Sequence, residues 1–146
     1  MKKVIAYIPI NLGHWQGIDK NSYGGAIEGK WHNMYFVEQV IDWSDLPKNS
    51  FGKLMAELKN GSKDLGSQRG RIGIRLAYQQ KRGEWIPLEG SEIYSMGGKR
   101  WELKQSDWFK LPTHVKGVSC LWIQGMEEEG SSCQIALVNL VIAEEV

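Results

Sequence analysis

Residues 71–79 read RIGIRLAYQ, and this stretch decides the fold class because apolar and polar positions alternate along it. The alternation puts four large apolar side chains on one face: Ile72, Ile74, Leu76 and Tyr78. Arg71 and Arg75 fall on the opposite face, as expected for a strand with one buried side. The residues that follow, KRG at 81–83, are a turn signal before Trp85 and predict a β-hairpin.

Further stretches with strand character lie on both sides of this hairpin. They cover residues 4–10, 31–43, 100–103, 115–124 and 133–142. Polar turns such as EGS at 89–91 separate them. Many strands joined by short polar turns predict an all-β fold, an antiparallel two-sheet β-sandwich. A chain of 146 residues fits one such domain, which we assign to residues 1–146.

One segment leaves helix and strand open. Residues 50–61, SFGKLMAELKNG, space their apolar side chains as a helix does, with Ser50 as N-cap and Gly61 as stop. The alternation of Leu54, Ala56 and Leu58 fits a strand as well. Propensity alone favours a short helix near 51–59.

Charge and hydropathy exclude several partner classes. With 18 basic and 17 acidic residues, the chain lacks the basic surplus typical of non-specific nucleic-acid binding. No apolar run approaches the roughly 20 residues that span a bilayer, so we expect no membrane partner. The N-terminal run ends at Pro9, too early for a signal-peptide core. We therefore expect either a cytoplasmic protein or an excised or leaderless extracellular module.

Patterns for catalysis and metal binding are weak. Cys120 and Cys133 form no CxxC pair and are expected to be reduced, packed thiols. No serine lies in a GxSxG elbow next to the histidines at 14, 32 and 114. The segment HWQGID, residues 14–19, is a poor match to metal-ligand spacing. We therefore predict no enzyme, no cofactor and no metal, with an enzyme of unknown type as the third hypothesis.

Tryptophan is the unusual residue. Seven occur, at positions 15, 31, 43, 85, 101, 108 and 122. A domain of this size has room to bury roughly four rings of about 150–250 Å² each. We assign Trp101 and Leu103 to the interior as an alternating pair, and Trp108 with Phe109 as an apolar anchor. The remaining indoles would lie at the surface, where flat apolar rings usually serve recognition.

The strand at 115–124 combines an aromatic ring with polar side chains. Leu121 and Ile123 fall on one face, and Trp122 and Gln124 on the other. If the Leu121 side is core, Trp122 and Gln124 face outward as Arg75 does. If both faces are covered, Trp122 belongs to the core. Sugars present apolar C–H faces flanked by hydroxyls, so an outward ring beside planar polar groups suits them.

A second candidate set lies at a loop rim. The long segment 11–30 carries His14, Trp15 and Tyr23, and Trp85 follows the hairpin turn. Aromatic residues are rare in disordered loops, which favours a functional loop. Residues 127–129, EEE, are interpreted as a solvated hairpin tip.

The C-terminal half resembles the galactose-binding-like jelly-roll sandwich shared by many non-catalytic carbohydrate-binding modules. The residues that carry the resemblance follow one another along the chain. They are RIGIRLAYQQKRGEW at 71–85, RWELKQSDWFKLP at 100–112, GVSCLWIQG at 117–125 and CQIALVNLVIAEE at 133–145. The resemblance covers about residues 31–146 as an order of elements. It implies a jelly roll and, in many members, a structural Ca²⁺ held by an acidic residue in the last strand. Here that strand reads LVNLVI, with Asn139 and no aspartate, which argues against calcium.

Two functions follow from these patterns. The leading hypothesis is non-catalytic binding of a glycan or polysaccharide by exposed aromatic platforms and polar side chains. Its candidate residues are Trp122, Gln124 and Arg75 on the sheet face, with Trp15, His14, Tyr23 and Trp85 at the rim. The alternative is a protein-interaction or self-assembly domain, including a homo-oligomer, that uses the same aromatic patch.

Overall fold

The computed structural model describes residues 1–11, 14–15, 30–60, 71–81, 83–95, 100–128 and 133–146. Within these ranges the chain forms strands, one 3₁₀ turn at Trp43–Asp45 and no α-helix. The strands are β1 (Lys2–Pro9), β2 (His14–Trp15), β3 (His32–Asp42), β4 (Ser50–Asn60), β5 (Ile72–Lys81), β6 (Glu84–Pro87), β7 (Ile93–Ser95), β8 (Glu102–Gln105), β9 (Phe109–Lys110), β10 (Val118–Glu127) and β11 (Cys133–Glu145).

The strands form two antiparallel sheets. The first sheet has the order β1-β11-β4-β8, with β9 also paired to β4. The second sheet has the order β2-β3-β10-β5-β6, with β7 also paired to β5. The prediction of an all-β, two-sheet antiparallel sandwich is therefore confirmed. The predicted hairpin forms between β5 and β6, and Gly83 takes a positive φ of 83° in its turn.

The core lies between the two sheets and follows the period of two. On β5 the predicted apolar face is buried along its whole length, from Ile72 to Tyr78. Leu121 and Ile123 are buried on the neighbouring β10. The first sheet contributes Leu54 and Leu58 of β4, together with alternating residues of β11. Each fully buried side chain of this size contributes about 1.5–3 kcal/mol relative to an exposed one.

Residues 50–60 form strand β4, so the helix favoured near 51–59 is wrong. Strand β4 is hydrogen-bonded to β11 on one side and to β8 and β9 on the other. Gly52, Leu54, Ala56 and Leu58 all point into the core. A helix would leave both neighbouring strands unpaired, so the tertiary hydrogen bonds outweigh the small helix preference of these residues.

Trp101 and Leu103 are exposed at 44% and 65% of their surface, so their assignment to the interior is wrong. The register explains why, because Leu103 lies opposite Glu57, which alternates with the buried Ala56 and Leu58. Strand β8 therefore turns Leu103 to the outside.

Of the two residues predicted as an apolar anchor, Trp108 and Phe109, only Phe109 is fully part of the core. Phe109 is buried, and its ring would be only 2.8 Å from a Cβ placed on Gly52. Trp108 is half-buried, with the Lys53 ammonium 4.5 Å from the centroid of its ring.

Glu127 is buried, so the expected solvated tip at 127–129 is wrong at its first residue. Its Oε1 accepts a 2.8 Å hydrogen bond from the backbone N–H of Cys133, at the start of β11. Burial raises the pKa of the Glu127 carboxyl, and this hydrogen bond partly opposes the rise. Glu128 forms a 3.1 Å ion pair with Arg71, and residue 129 lies outside the described residues.

Candidate ligand-binding site on the outer face of the second sheet

A row of three polar side chains crosses the outer face of the second sheet. Arg75 of β5 and Asn33 of β3 both lie opposite Gln124 of the central strand β10. Arg75 Nε donates a 2.8 Å hydrogen bond to Gln124 Oε1, and Gln124 Nε2 donates one of 3.0 Å to Asn33 Oδ1. Both ends of the Gln124 amide are therefore used, which fixes its orientation and that of Arg75.

Three aromatic rings lie on one side of this polar row. Trp122 lies two residues before Gln124 on β10, so it faces outward on the same side of the sheet, and it is half-buried. Its ring meets Phe36 edge-on at a centroid distance of 5.6 Å and Trp85 at 5.8 Å. Such T-shaped contacts are the preferred geometry of aromatic pairs. The three rings therefore support one another at the surface.

Two further aromatic rings lie on the other side of the row. The Arg75 guanidinium carbon is 4.4 Å from the centroid of the Trp31 ring. Tyr94, 39% exposed, has its ring centroid 6.2 Å from that of Trp31. Arg71 in turn stacks on Tyr94 at 4.4 Å. We call the whole set the outer-face site: Trp31, Asn33, Phe36, Arg75, Trp85, Tyr94, Trp122 and Gln124.

Small residues on β5 make room for the large rings. Gly73 lies opposite Tyr94, and a Cβ on Gly73 would be 2.9 Å from the Tyr94 ring. Ala77 lies opposite Trp122 and is fully buried. These two outward positions of the alternating stretch that decides the fold therefore hold residues with little or no side chain. Larger residues there would compete with the rings for the same surface.

Arg75 carries the principal charge of the outer-face site. Burial lowers the pKa of its guanidinium, and the side chains of Glu92 and Tyr94 partly oppose that shift. An arginine remains protonated at physiological pH. The site therefore holds a partly desolvated, oriented cation between two groups of aromatic rings.

Four of the seven predicted site residues meet in the outer-face site: Arg75, Trp85, Trp122 and Gln124. The backbone of His14 pairs with Phe36, and that of Trp15 pairs with Tyr35, so β2 lies along the same sheet. The side chains of His14 and Trp15, and the whole of Tyr23, lie outside the described part of the chain.

Four members of the outer-face site were not predicted: Trp31, Asn33, Phe36 and Tyr94. Trp31 and Asn33 alternate in the predicted strand 31–43, and that spacing places both on one face. Phe36 breaks the alternation because the register between β3 and β10 shifts between Ile123 and Gln124. Such a bulge turns the residues beyond it to the other face, and no feature of the sequence marks it.

No protein-family model, curated protein or solved structure matches this chain. The fold and the site therefore rest on the residues themselves.

Among the described residues, no group of three or more His, Cys, Asp or Glu side chains is arranged to hold a metal ion. The described chain also contains no helix with the length and apolar character needed to cross a membrane.

A separate pocket of about 610 Å³ includes Tyr78, Ile86, Leu111 and His114 in its lining. None of the seven predicted site residues lines it. The ring of Tyr78 is buried and meets Trp43 edge-on at a centroid distance of 6.0 Å. Tyr78 is the single Phe, Tyr or Trp among the described lining residues, and because it belongs to the core, this pocket offers no open phenol or indole ring for stacking.

Proposed function

We propose that this protein binds carbohydrate, without catalysis, at the outer-face site. The observation that carries the proposal is the combination of a fixed polar row with aromatic rings on both of its sides. Aromatic rings stack against the apolar C–H faces of sugars, and planar polar groups hydrogen-bond the hydroxyls around them.

The distribution of tryptophan supports the proposal. Of the six tryptophans whose side chains are described, Trp43 is fully buried and the other five are half-buried or exposed. Trp31, Trp85 and Trp122 belong to a single site on one sheet. Apolar rings gathered on a surface are typical of recognition sites.

The experiment is a titration of intrinsic tryptophan fluorescence with a panel of neutral and acidic oligosaccharides. We expect at least one oligosaccharide to change the emission of the wild-type protein, because indoles line the site. Trp122→Ala should abolish that response. Trp101→Ala is the matched control, because Trp101 is an exposed indole on the first sheet, and it should leave binding unchanged.

Two outcomes contradict carbohydrate binding at the outer-face site. The first is a flat response to every oligosaccharide from a wild-type sample that melts cooperatively. The second is equal loss of binding in Trp122→Ala and Trp101→Ala, which would show that the response does not come from the outer-face site.

Self-association or binding of a protein partner through the same face is the second candidate function. Trp, Tyr and Arg are the residues that dominate the energy of protein interfaces, and the outer-face site contains all three types. Light scattering distinguishes the two functions. A stable oligomer that becomes monomeric in Trp122→Ala favours assembly, whereas a monomer that binds sugar favours the first proposal.

A further inference from the structure

We infer that the outer-face site selects acidic saccharides, whose carboxylate or sulfate group pairs with Arg75. This inference rests on the proposed function and specifies its ligand class.

The orientation of the Arg75 guanidinium is the first step of the argument. Its Nε is occupied by Gln124, and its plane lies against Trp31. Asn33 holds Gln124 from the other side. The guanidinium is thus held at one nitrogen and on one face. Its two terminal nitrogens form no hydrogen bond to any described residue, which leaves them for a ligand. Paired N–H groups of this kind match the two oxygens of a carboxylate or sulfate.

The second step is that no described carboxylate forms an ion pair with Arg75. Among the residues that the structure describes, no carboxylate lies within ion-pair distance of Arg75, whereas the nearby Arg71 is paired with Glu128 at 3.1 Å. Glu92 acts on Arg75 through its charge. However, Oε2 of Glu92 accepts a 2.8 Å hydrogen bond from the backbone N–H of Gly90. The Arg75 charge is therefore partly desolvated and has no direct counter-ion among the described residues.

The surroundings of Arg75 identify the partner as a saccharide rather than a free anion. An isolated anion would use the guanidinium alone and leave the rings of Trp122 and Trp85 without a role. A sugar ring that carries an acidic group can stack on an indole while its anion reaches the guanidinium. Charge-assisted hydrogen bonds in a partly dry site are about twice as strong as neutral ones, so the acidic group should set the preference.

The test uses isothermal titration calorimetry to compare ligands that share a sugar backbone and differ in its acidic groups. One pair is oligogalacturonate and the same oligomer fully methyl-esterified. The other pair is dextran sulfate and dextran, which separates sulfate from carboxylate recognition. We expect wild-type protein to bind at least one acidic member about tenfold more tightly than its neutral counterpart, the factor that one charge-assisted hydrogen bond supplies.

Three variants assign this preference to Arg75. Arg75→Gln should remove the preference for the acidic member, and Arg75→Lys should restore only part of it, because lysine keeps the charge but lacks the paired donors. Glu92→Gln should strengthen acidic binding. Lys53→Gln is the matched control, because Lys53 also stacks on an indole, Trp108, but does so on the first sheet. It should bind as the wild type does.

The outcomes distinguish a failure of the acidic preference from a failure of carbohydrate binding itself. If wild type binds neutral and acidic members equally, or if Arg75→Gln keeps the preference, the inference is overturned and carbohydrate binding stands. If Arg75→Gln and Lys53→Gln weaken acidic binding equally, the effect is one of net charge and the inference is also overturned. If a folded wild-type sample binds no member of either pair or of the oligosaccharide panel, both proposals fail.

Discussion

Arg75 and Gln124 are 49 positions apart in the chain and are joined across β5 and β10 by a 2.8 Å hydrogen bond. Gln124 is only 8% exposed, so an amide in the middle of a sheet face is withdrawn from water and held between two polar neighbours. This arrangement links the pairing of β5 with β10 to the orientation of the Arg75 guanidinium in the outer-face site.

Replacement of Gln124 by leucine should lower the free energy of unfolding by about 1–3 kcal/mol, because Arg75 Nε and Asn33 Oδ1 would lose their partner in a partly dry site. Urea denaturation measures the change. Gln105→Leu is the control, since Gln105 is exposed on β8 and should alter stability little. Equal stability of the two variants would show that the polar row is not energetically important.

Trp43→Ala should destabilise the fold by about 3–5 kcal/mol, because the Trp43 ring is fully buried and its removal leaves a cavity. Trp101→Ala should cost less than about 1 kcal/mol, the range of exposed positions. Thermal or urea unfolding of both variants tests the assignment of inside and outside. A large loss in Trp101→Ala together with a small one in Trp43→Ala would reverse that assignment.

Gly125→Ala should destabilise the second sheet by about 1–3 kcal/mol through overpacking. A Cβ on Gly125 would overlap the sulfur of Met34, whose side chain is fully buried. A double-mutant cycle with Met34→Ala tests the contact, because shortening Met34 removes the overlap. We expect the double variant to be more stable than the sum of the two single effects, by about 0.5–3 kcal/mol. Simple additivity would argue against the contact.

Glu127→Gln should change how stability depends on pH. Burial raises the pKa of Glu127 above its ordinary value of 4.5, so in the window above 4.5 the folded state binds more protons at this site than the unfolded state. The free energy of unfolding of the wild type therefore falls, relative to Glu127→Gln, as pH rises from 4.5 through the raised pKa. Glutamine keeps a carbonyl to accept the Cys133 N–H.

Urea midpoints measured from pH 4 to pH 8 check this prediction for Glu127. The control is Glu89→Gln, at an exposed turn residue, whose curve should run parallel to that of the wild type. A stability difference between wild type and Glu127→Gln that grows in favour of the wild type as pH rises would contradict the raised pKa.

Much of the outer-face site was predictable from alternation alone. The period of two in β5 put Arg75 opposite the buried Ile74 and Leu76, and the same rule on β10 put Trp122 and Gln124 opposite Leu121 and Ile123. Once those apolar residues were taken as core, the outward direction followed, because successive side chains of a strand point to opposite faces. The sequence did not predict which side chains of different strands would be in contact, since strand register depends on pairing across the sheet.

The errors have the same physical origin. Trp101 and Leu103 are apolar and were therefore expected inside, but Leu103 lies opposite the outward-facing Glu57 of β4, and Trp101, two residues earlier, is exposed as well. Glu127 belongs to a run of three acidic residues, which favours a solvated turn, yet its carboxylate accepts a hydrogen bond from the backbone N–H of Cys133, at the start of β11. In the first case a strand far away in sequence decides which side of the residue meets water, and in the second the decisive partner is only 6 residues along the chain but belongs to the next strand.

The amino-acid sequence by itself determined the all-β class, the hairpin at residues 72–87 and the placement of Trp122 and Gln124 on the face of their strand opposite Leu121 and Ile123, because these depend on a local period of two. Only the tertiary structure decided that residues 50–60 form a strand, that Phe36 turns outward, and that Arg75 meets Trp31 and Gln124. These features depend on register and hydrogen bonding between strands far apart in the chain, and no local pattern encodes them.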